Sequence, residues 1–206
     1  VMERFGEIPI PPYLKRAVET QDEERYQSVF AQELGAVAAS TASLHLSLEL
    51  IASLHKKGIS IAEITLHIGL GTFAPLREEQ IIDKKLHEEY FSLSQETVEA
   101  ISRTKERNGR VIAVGTTVTR CLESIAQKGE LCAKTGKTDL FIQEGFSFRV
   151  IDGLLTNFHL PKSSLLMLVC AFGGQKRVIE AYQHAISHKY RFYSYGDAML
   201  VFPPQT

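Results

Sequence analysis

The sequence predicts an α/β fold, a layered α/β domain with a largely parallel or mixed sheet. Short β-branched or apolar runs at residues 59–68, 110–114, 138–142, 148–151 and 198–202 alternate with stretches of helical periodicity. One run, RVIAV at 110–114, is a short apolar run of the kind found in buried parallel strands. Glycine or hydroxyl residues punctuate the junctions between runs.

A helix is expected over 48–57, with Ser47 as N-cap, Gly58 as stop, and Leu48, Ile51 and Leu54 on one apolar face. The strand ISIAEITLHI (59–68) follows. Ser94 caps the next helix, which turns Val98 and Ile101 inward and ends at Asn108-Gly109. After 110–114, Gly115-Thr116-Thr117 turns the chain into a helix over 118–127. Residues 127–137 read as an exposed lysine-bearing loop, and Gly145 as the turn between strands 138–142 and 148–151. Helices at 164–172 and 175–188 precede a closing strand at 198–202. There is no internal repeat and no low-complexity tract.

A chain of 206 residues can bury one substantial core. Its 23 Lys+Arg balance 24 Asp+Glu, which excludes non-specific nucleic-acid binding as its main business but leaves room for a local basic patch. Cys121, Cys132 and Cys170 are odd in number and lack metal-ligand spacing, so ordinary reduced, buried thiols of a cytoplasmic protein are expected. The apolar block 165–172 is far short of the ~20 residues a membrane span needs. No signal peptide opens the chain, Val1 is not an initiator Met, and prolines 9, 11 and 12 favour an extended linker.

Polar clusters stand against apolar blocks at several junctions. HIGLGTFAP (67–75) places Gly69 and Gly71 after a strand, with Phe73 and Pro75 where a dinucleotide fingerprint needs a third glycine and a helix, so that reading fails. What remains is either a tight strand exit or a pocket wall in which His67 and Thr72 offer hydrogen bonds. Glu63 and His67, four apart on one strand, share a face as an acid/base pair or a polar rim. In GTTVTR (115–120) the free N–H groups of a helix start favour an anion, Arg120 offers a planar fork to a carboxylate, and N-capping by Thr116 or Thr117 explains the hydroxyls equally well. In TNFHLPKSS, Asn157 and His159 alternate on an extended segment that Pro161 ends, beside Lys162 and a serine pair. YRFYSYGDAM gathers aromatic rings around Arg191 and Asp197, either a closing strand or a stacking surface. GAVAASTASLHL permits close approach of another group, and His45 is its one titratable side chain.

These segments, in the order YQSVFA, GAVAASTASLHL, AEITLHIGLGTF, LHEEYF, RVIAVGTTVTR, TDLFI, FRVIDGLLTNFHLPKSSLLMLV and YRFYSYGDAML, resemble the S-adenosylmethionine:tRNA ribosyltransferase-isomerases of queuosine biosynthesis. The resemblance runs from Ile8 onward, with Ser40, Ser43 and Leu46 where that family usually has Pro, Gly and Phe. It implies transfer and isomerisation of the ribosyl moiety of S-adenosylmethionine onto 7-aminomethyl-7-deazaguanine in tRNA, giving epoxyqueuosine, adenine and methionine. It also implies an α/β domain with an inserted β-barrel that has no counterpart in these segments. Residues 1–20 are therefore expected as a linker from such a region and 21–206 as the α/β domain. A catalytically silent tRNA-binding fragment is the alternative; a methyltransferase lacks its glycine-rich motif.

The implied chemistry needs a base for the acidic C5′ proton next to the sulfonium, an acid for departing adenine, and preorganised polar groups. His159 or His67 is the candidate proton carrier, with Glu63 and Asp197 as partners. Arg120 and Thr116 are candidates for the methionine carboxylate, and Tyr195 and Phe73 for stacking on a base. Gly69, Gly71, Thr72, Gly115, Thr117, Asn157, Lys162, Arg191 and His45 complete the expected substrate-binding set. No metal or redox cofactor, no membrane and a monomer are expected, with tRNA and S-adenosylmethionine as partners.

Overall fold

The computed structural model describes residues 10, 14–33, 35, 36, 38–69 and 78–204. In chain order these form α1 (Thr20–Arg25), a 3₁₀ turn (Thr41–His45), α2 (Leu48–Lys56), β1 (Thr65–His67), α3 (Glu78–Asp83), β2 (Lys85–Leu93) and α4 (Gln95–Glu106). Then follow β3 (Ile112–Val114), α5 (Thr116–Ala126), β4 (Lys134–Leu140), β5 (Gly153–Asn157), α6 (Ser164–Gly173), α7 (Gln175–Ser187) and β6 (Ala198–Val201).

The fold is α/β, and its described strands form two three-stranded sheets. The sheet ordered β3-β5-β6 is mixed, as expected: β3 runs parallel to β5, and β5 antiparallel to β6. The sheet ordered β1-β2-β4 is antiparallel throughout. Helix α5 packs against β3, β5 and β4 and so joins the two sheets. Leu154, Leu168, Val169 and Cys121 are fully enclosed at the centre of the core.

Local chemistry sets the helix ends. The hydroxyls of Ser47, Ser94 and Ser163 each accept an N–H three residues on, from Leu50, Thr97 and Leu166, all at 3.2 Å. Gly58 and Asn108 leave α2 and α4 in left-handed conformation, with φ of 75° and 54°. The apolar face expected on α2 is only half covered, and Leu48 is 66% exposed.

Two expected strands change. The run at 59–68 pairs only over Thr65–His67, against Ser92–Tyr90 of β2. Residues 148–151 form no strand, because the backbone N–H groups of Arg149, Val150 and Ile151 all donate to the buried carboxylate of Glu123, at 2.8, 3.0 and 3.2 Å. Conversely, Lys134–Lys137, read as loop, belong to β4, since they ladder onto β2. Cys121 is buried and Cys170 half-buried, but Cys132 is exposed. Among the described residues no helix is long and apolar enough to cross a membrane.

Candidate functional site

β3 and β5 are parallel neighbours, and their carboxyl ends open on one side of the sheet, where α/β folds place ligands. Gly115 makes the exit from β3. Its N–H still donates to Leu155 O at 2.9 Å, and its φ of 102° swings the chain straight into α5. The helix therefore starts at Thr116, two residues earlier than the sequence suggests, and Gly115 rather than Thr116 or Thr117 is the N-cap. No side chain caps this helix.

A small, shallow cleft, continuous with solvent, lies at this junction. Gly115, Thr116 and Thr117 form one wall; Thr156, Asn157 and His159, from the end of β5, form a second. Residues 39–42 close the third side, with Ile68 and Leu165. No formally charged side chain is among these. The small-residue segment thus does allow the close approach its composition suggests.

Asn157 is held from both ends of its carboxamide. The Thr41 hydroxyl donates to Oδ1 at 3.1 Å, which leaves the amide N–H to meet His45 Nε2 at 3.1 Å. His45 Nε2 is then the unprotonated nitrogen of a neutral ring. Burial holds its pKa below the ordinary 6.5, with Asp197 partly offsetting and Arg191 adding to the effect. His45 stands behind Asn157 rather than in the cleft wall.

His159 is fixed by Thr156 Oγ1, 2.8 Å from Nε2, and by its own N–H donating to Tyr182 Oη at 2.7 Å. Burial depresses the imidazole pKa to about 4. Near neutral pH it is uncharged, able to accept a proton or a hydrogen bond.

Other expected residues lie elsewhere. Arg120 points away from the cleft: Nη1 bonds Glu89 Oε2 at 2.8 Å and Nε bonds Leu140 O at 2.9 Å, with both side chains buried. Arg120 stands one turn further along α5 than Thr116, about 6 Å from the helix start, at the level where β2 and β4 supply Glu89 and Leu140 O as partners. Glu63 is exposed and lies outside β1, so it shares no strand with His67; its carbonyl accepts the Thr97 hydroxyl at 2.7 Å. The His67 ring lies against Gly35, where an added Cβ would sit 2.6 Å from Nδ1. His67 is absent from the cleft lining, although its neighbour Ile68 is present. A Cβ at Gly69 would meet nothing within 4 Å.

The aromatic segment 190–197 closes on itself. Asp197 accepts the Arg191 N–H at 2.7 Å and Arg191 Nη2 at 3.0 Å. The Tyr195 ring packs on Tyr26 at 5.1 Å, and its hydroxyl donates to Asp22 Oδ1 at 2.8 Å, so ring and hydroxyl both hold the N-terminal segment. Lys162 is exposed in the turn before α6, with φ 58°. Gly71, Thr72 and Phe73 lie outside the described residues. Thr41, Thr156 and Leu165 carried no sequence signal of their own. Among the described residues no three His, Cys, Asp or Glu side chains gather to hold a metal.

Residues 1–201 match the family model described as queuosine biosynthesis protein. The chain belongs to that queuosine biosynthesis family. Curated relatives named S-adenosylmethionine:tRNA ribosyltransferase-isomerase include those of Coxiella burnetii (strain CbuG_Q212), 54% identical over 96% of this chain and 58% of the relative, and of Carboxydothermus hydrogenoformans, 51% identical over 98% and 59%. The chain thus spans less than two-thirds of the length of the family members it matches. The crystal structure of S-adenosylmethionine tRNA ribosyltransferase from Thermotoga maritima aligns with a TM-score of 0.67 at 47% identity, covering 78% of this chain and 51% of that one.

Proposed function

We propose that this chain supplies the S-adenosylmethionine cleft of a tRNA ribosyltransferase-isomerase. It would transfer and isomerise the ribosyl moiety onto 7-aminomethyl-7-deazaguanine in tRNA, giving epoxyqueuosine and releasing adenine and methionine. The observation that carries the reading is the convergence of His159, Asn157 and the open first turn of α5 on one cleft, in a chain whose relatives bear that name. The sulfonium of the substrate acidifies its own C5′ protons, so proton transfers do the work and no resident cofactor enters the scheme. His159, neutral at the cleft wall, takes the C5′ proton. The half-buried imidazolium so formed, with its pKa lowered by desolvation, is a strong acid and returns a proton to the departing adenine. Asn157, braced by Thr41 and His45, presents a fixed dipole to the collapsing ribose.

The test is chromatographic detection of adenine after incubating the protein with S-adenosylmethionine and tRNA carrying 7-aminomethyl-7-deazaguanine. His159→Gln should lower turnover by roughly 10²–10⁴-fold. Near-normal turnover in a folded variant removes His159 from the role. No adenine from the wild-type chain, with tRNA bound, favours a silent tRNA-binding fragment.

A further inference from the structure

The first turn of α5 presents more hydrogen-bond donors than the protein uses. Gly115 O accepts Thr119 N–H at 3.2 Å, and the N–H groups of Thr116, Thr117 and Val118 have no acceptor among the described residues. The side chains add a second, independent observation. Thr116 and Thr117 are only 7% and 6% exposed, yet neither hydroxyl makes a hydrogen bond to a described residue. Thr119, by contrast, donates to Gly115 O at 3.2 Å. No buried side-chain oxygen of the described residues is sealed off without a partner, so the two idle hydroxyls keep access to the cleft they line. Two buried hydroxyls left idle beside three idle amides are groups arranged for something outside the protein.

The chemistry of that guest follows from the donors. Aligned N–H groups at the positive end of an eleven-residue helix favour an oxyanion. Among the described residues no carboxylate lines the cleft to repel one, and His159 is neutral. Phosphate sites usually add Arg or Lys, and none of the described residues lining this cleft is one, while Arg120 is committed to Glu89. We infer that the first turn of α5, through the N–H groups of Thr116, Thr117 and Val118 and the hydroxyls of Thr116 and Thr117, is an oxyanion site for the carboxylate of an amino-acid-bearing substrate. The inference rests on this cleft being the substrate cleft, and it assigns the carboxylate to the helix start rather than to Arg120.

Calorimetry on the whole chain compares S-adenosylhomocysteine with 5′-methylthioadenosine, which keeps the adenosyl thioether and lacks the amino acid. Amide spectra follow Gly115–Val118 as L-methionine or inorganic phosphate is added. S-adenosylhomocysteine should bind about 10-fold tighter than 5′-methylthioadenosine, as expected for charge-assisted donors. Thr116→Val and Thr117→Val should each erase most of that margin and leave 5′-methylthioadenosine unaffected. The ligand comparison needs no variant, so a variant that misfolds does not blunt it. Equal affinity for the two adenosyl compounds overturns the carboxylate site while leaving an adenosyl cleft intact. If phosphate but not L-methionine moves these amides, the guest is a phosphate and the carboxylate assignment falls. If L-methionine moves them and neither adenosyl compound binds, the oxyanion site stands and the S-adenosylmethionine reading fails. Amides unmoved by every probe overturn the site.

Discussion

Replacing Arg120 by Met decides whether this guanidinium holds the fold together or holds a substrate. In the structure it is enclosed, 2.8 Å from Glu89 Oε2 and 2.9 Å from Leu140 O, where α5 crosses to the antiparallel sheet. Taking away the cation that faces a buried carboxylate costs about 3–5 kcal/mol. For a chain of this size that lowers Tm by roughly 6–20 °C. A pair buried this deeply has itself lost its hydration, so Arg120→Met combined with Glu89→Met should recover part of the loss instead of doubling it. Urea denaturation followed by circular dichroism gives the stability, and calorimetry with S-adenosylhomocysteine gives binding below the transition. The reasoning is refuted if Arg120→Met stays within about 1 kcal/mol of wild type and abolishes ligand binding.

Three further outcomes follow from the same geometry. Between about pH 4 and the ordinary histidine value of 6.5, the unfolded chain holds a proton at residue 159 that the folded chain refuses, so stability is full above that window and falls as pH drops through it. The loss is at most roughly 3 kcal/mol, and His159→Gln should flatten this part of a urea-midpoint-against-pH curve. Glu123→Gln replaces an anion that receives three backbone N–H groups with an amide whose N–H₂ end must face one of them, and should cost about 2–4 kcal/mol by chemical denaturation. Gly115→Ala forces a side chain onto φ 102° and should cost about 1–3 kcal/mol by the same assay, with loss of any ligand affinity that depends on the start of α5; an unchanged midpoint would contradict the strained-turn account.

Helix termini were legible in the sequence because capping is local. Ser47, Ser94, Gly58 and Asn108 sit next to the groups they satisfy. The strand within 110–114 and the turn at Gly115 were legible and located one wall of the cleft, but the strand spans only Ile112–Val114 at the edge of its sheet, with Ile112 40% exposed rather than buried. TNFHLPKSS marked a second wall through its own composition. What could not be read was pairing at a distance. β2 carries His87, Glu88 and Glu89 within a stretch that looks solvated, and only its ladder with β1 and β4 makes it a strand. Residues 148–151 have strand composition, but a carboxylate 25 or more residues earlier takes their N–H groups. Arg120 and Asp197 are charged residues at suggestive junctions whose partners, Glu89 and Arg191, use them structurally. The bond between Thr41 and Asn157 joins residues 116 apart, and no local pattern announces it.

The most direct measurement is a crystal structure of the chain with S-adenosylhomocysteine. The account predicts density for the ligand between His159, Asn157 and Gly115, with its carboxylate within hydrogen-bond reach of Thr116 and Thr117. Density instead beside Arg120, or on the outer face of the β1-β2-β4 sheet with this cleft unfilled, would contradict it.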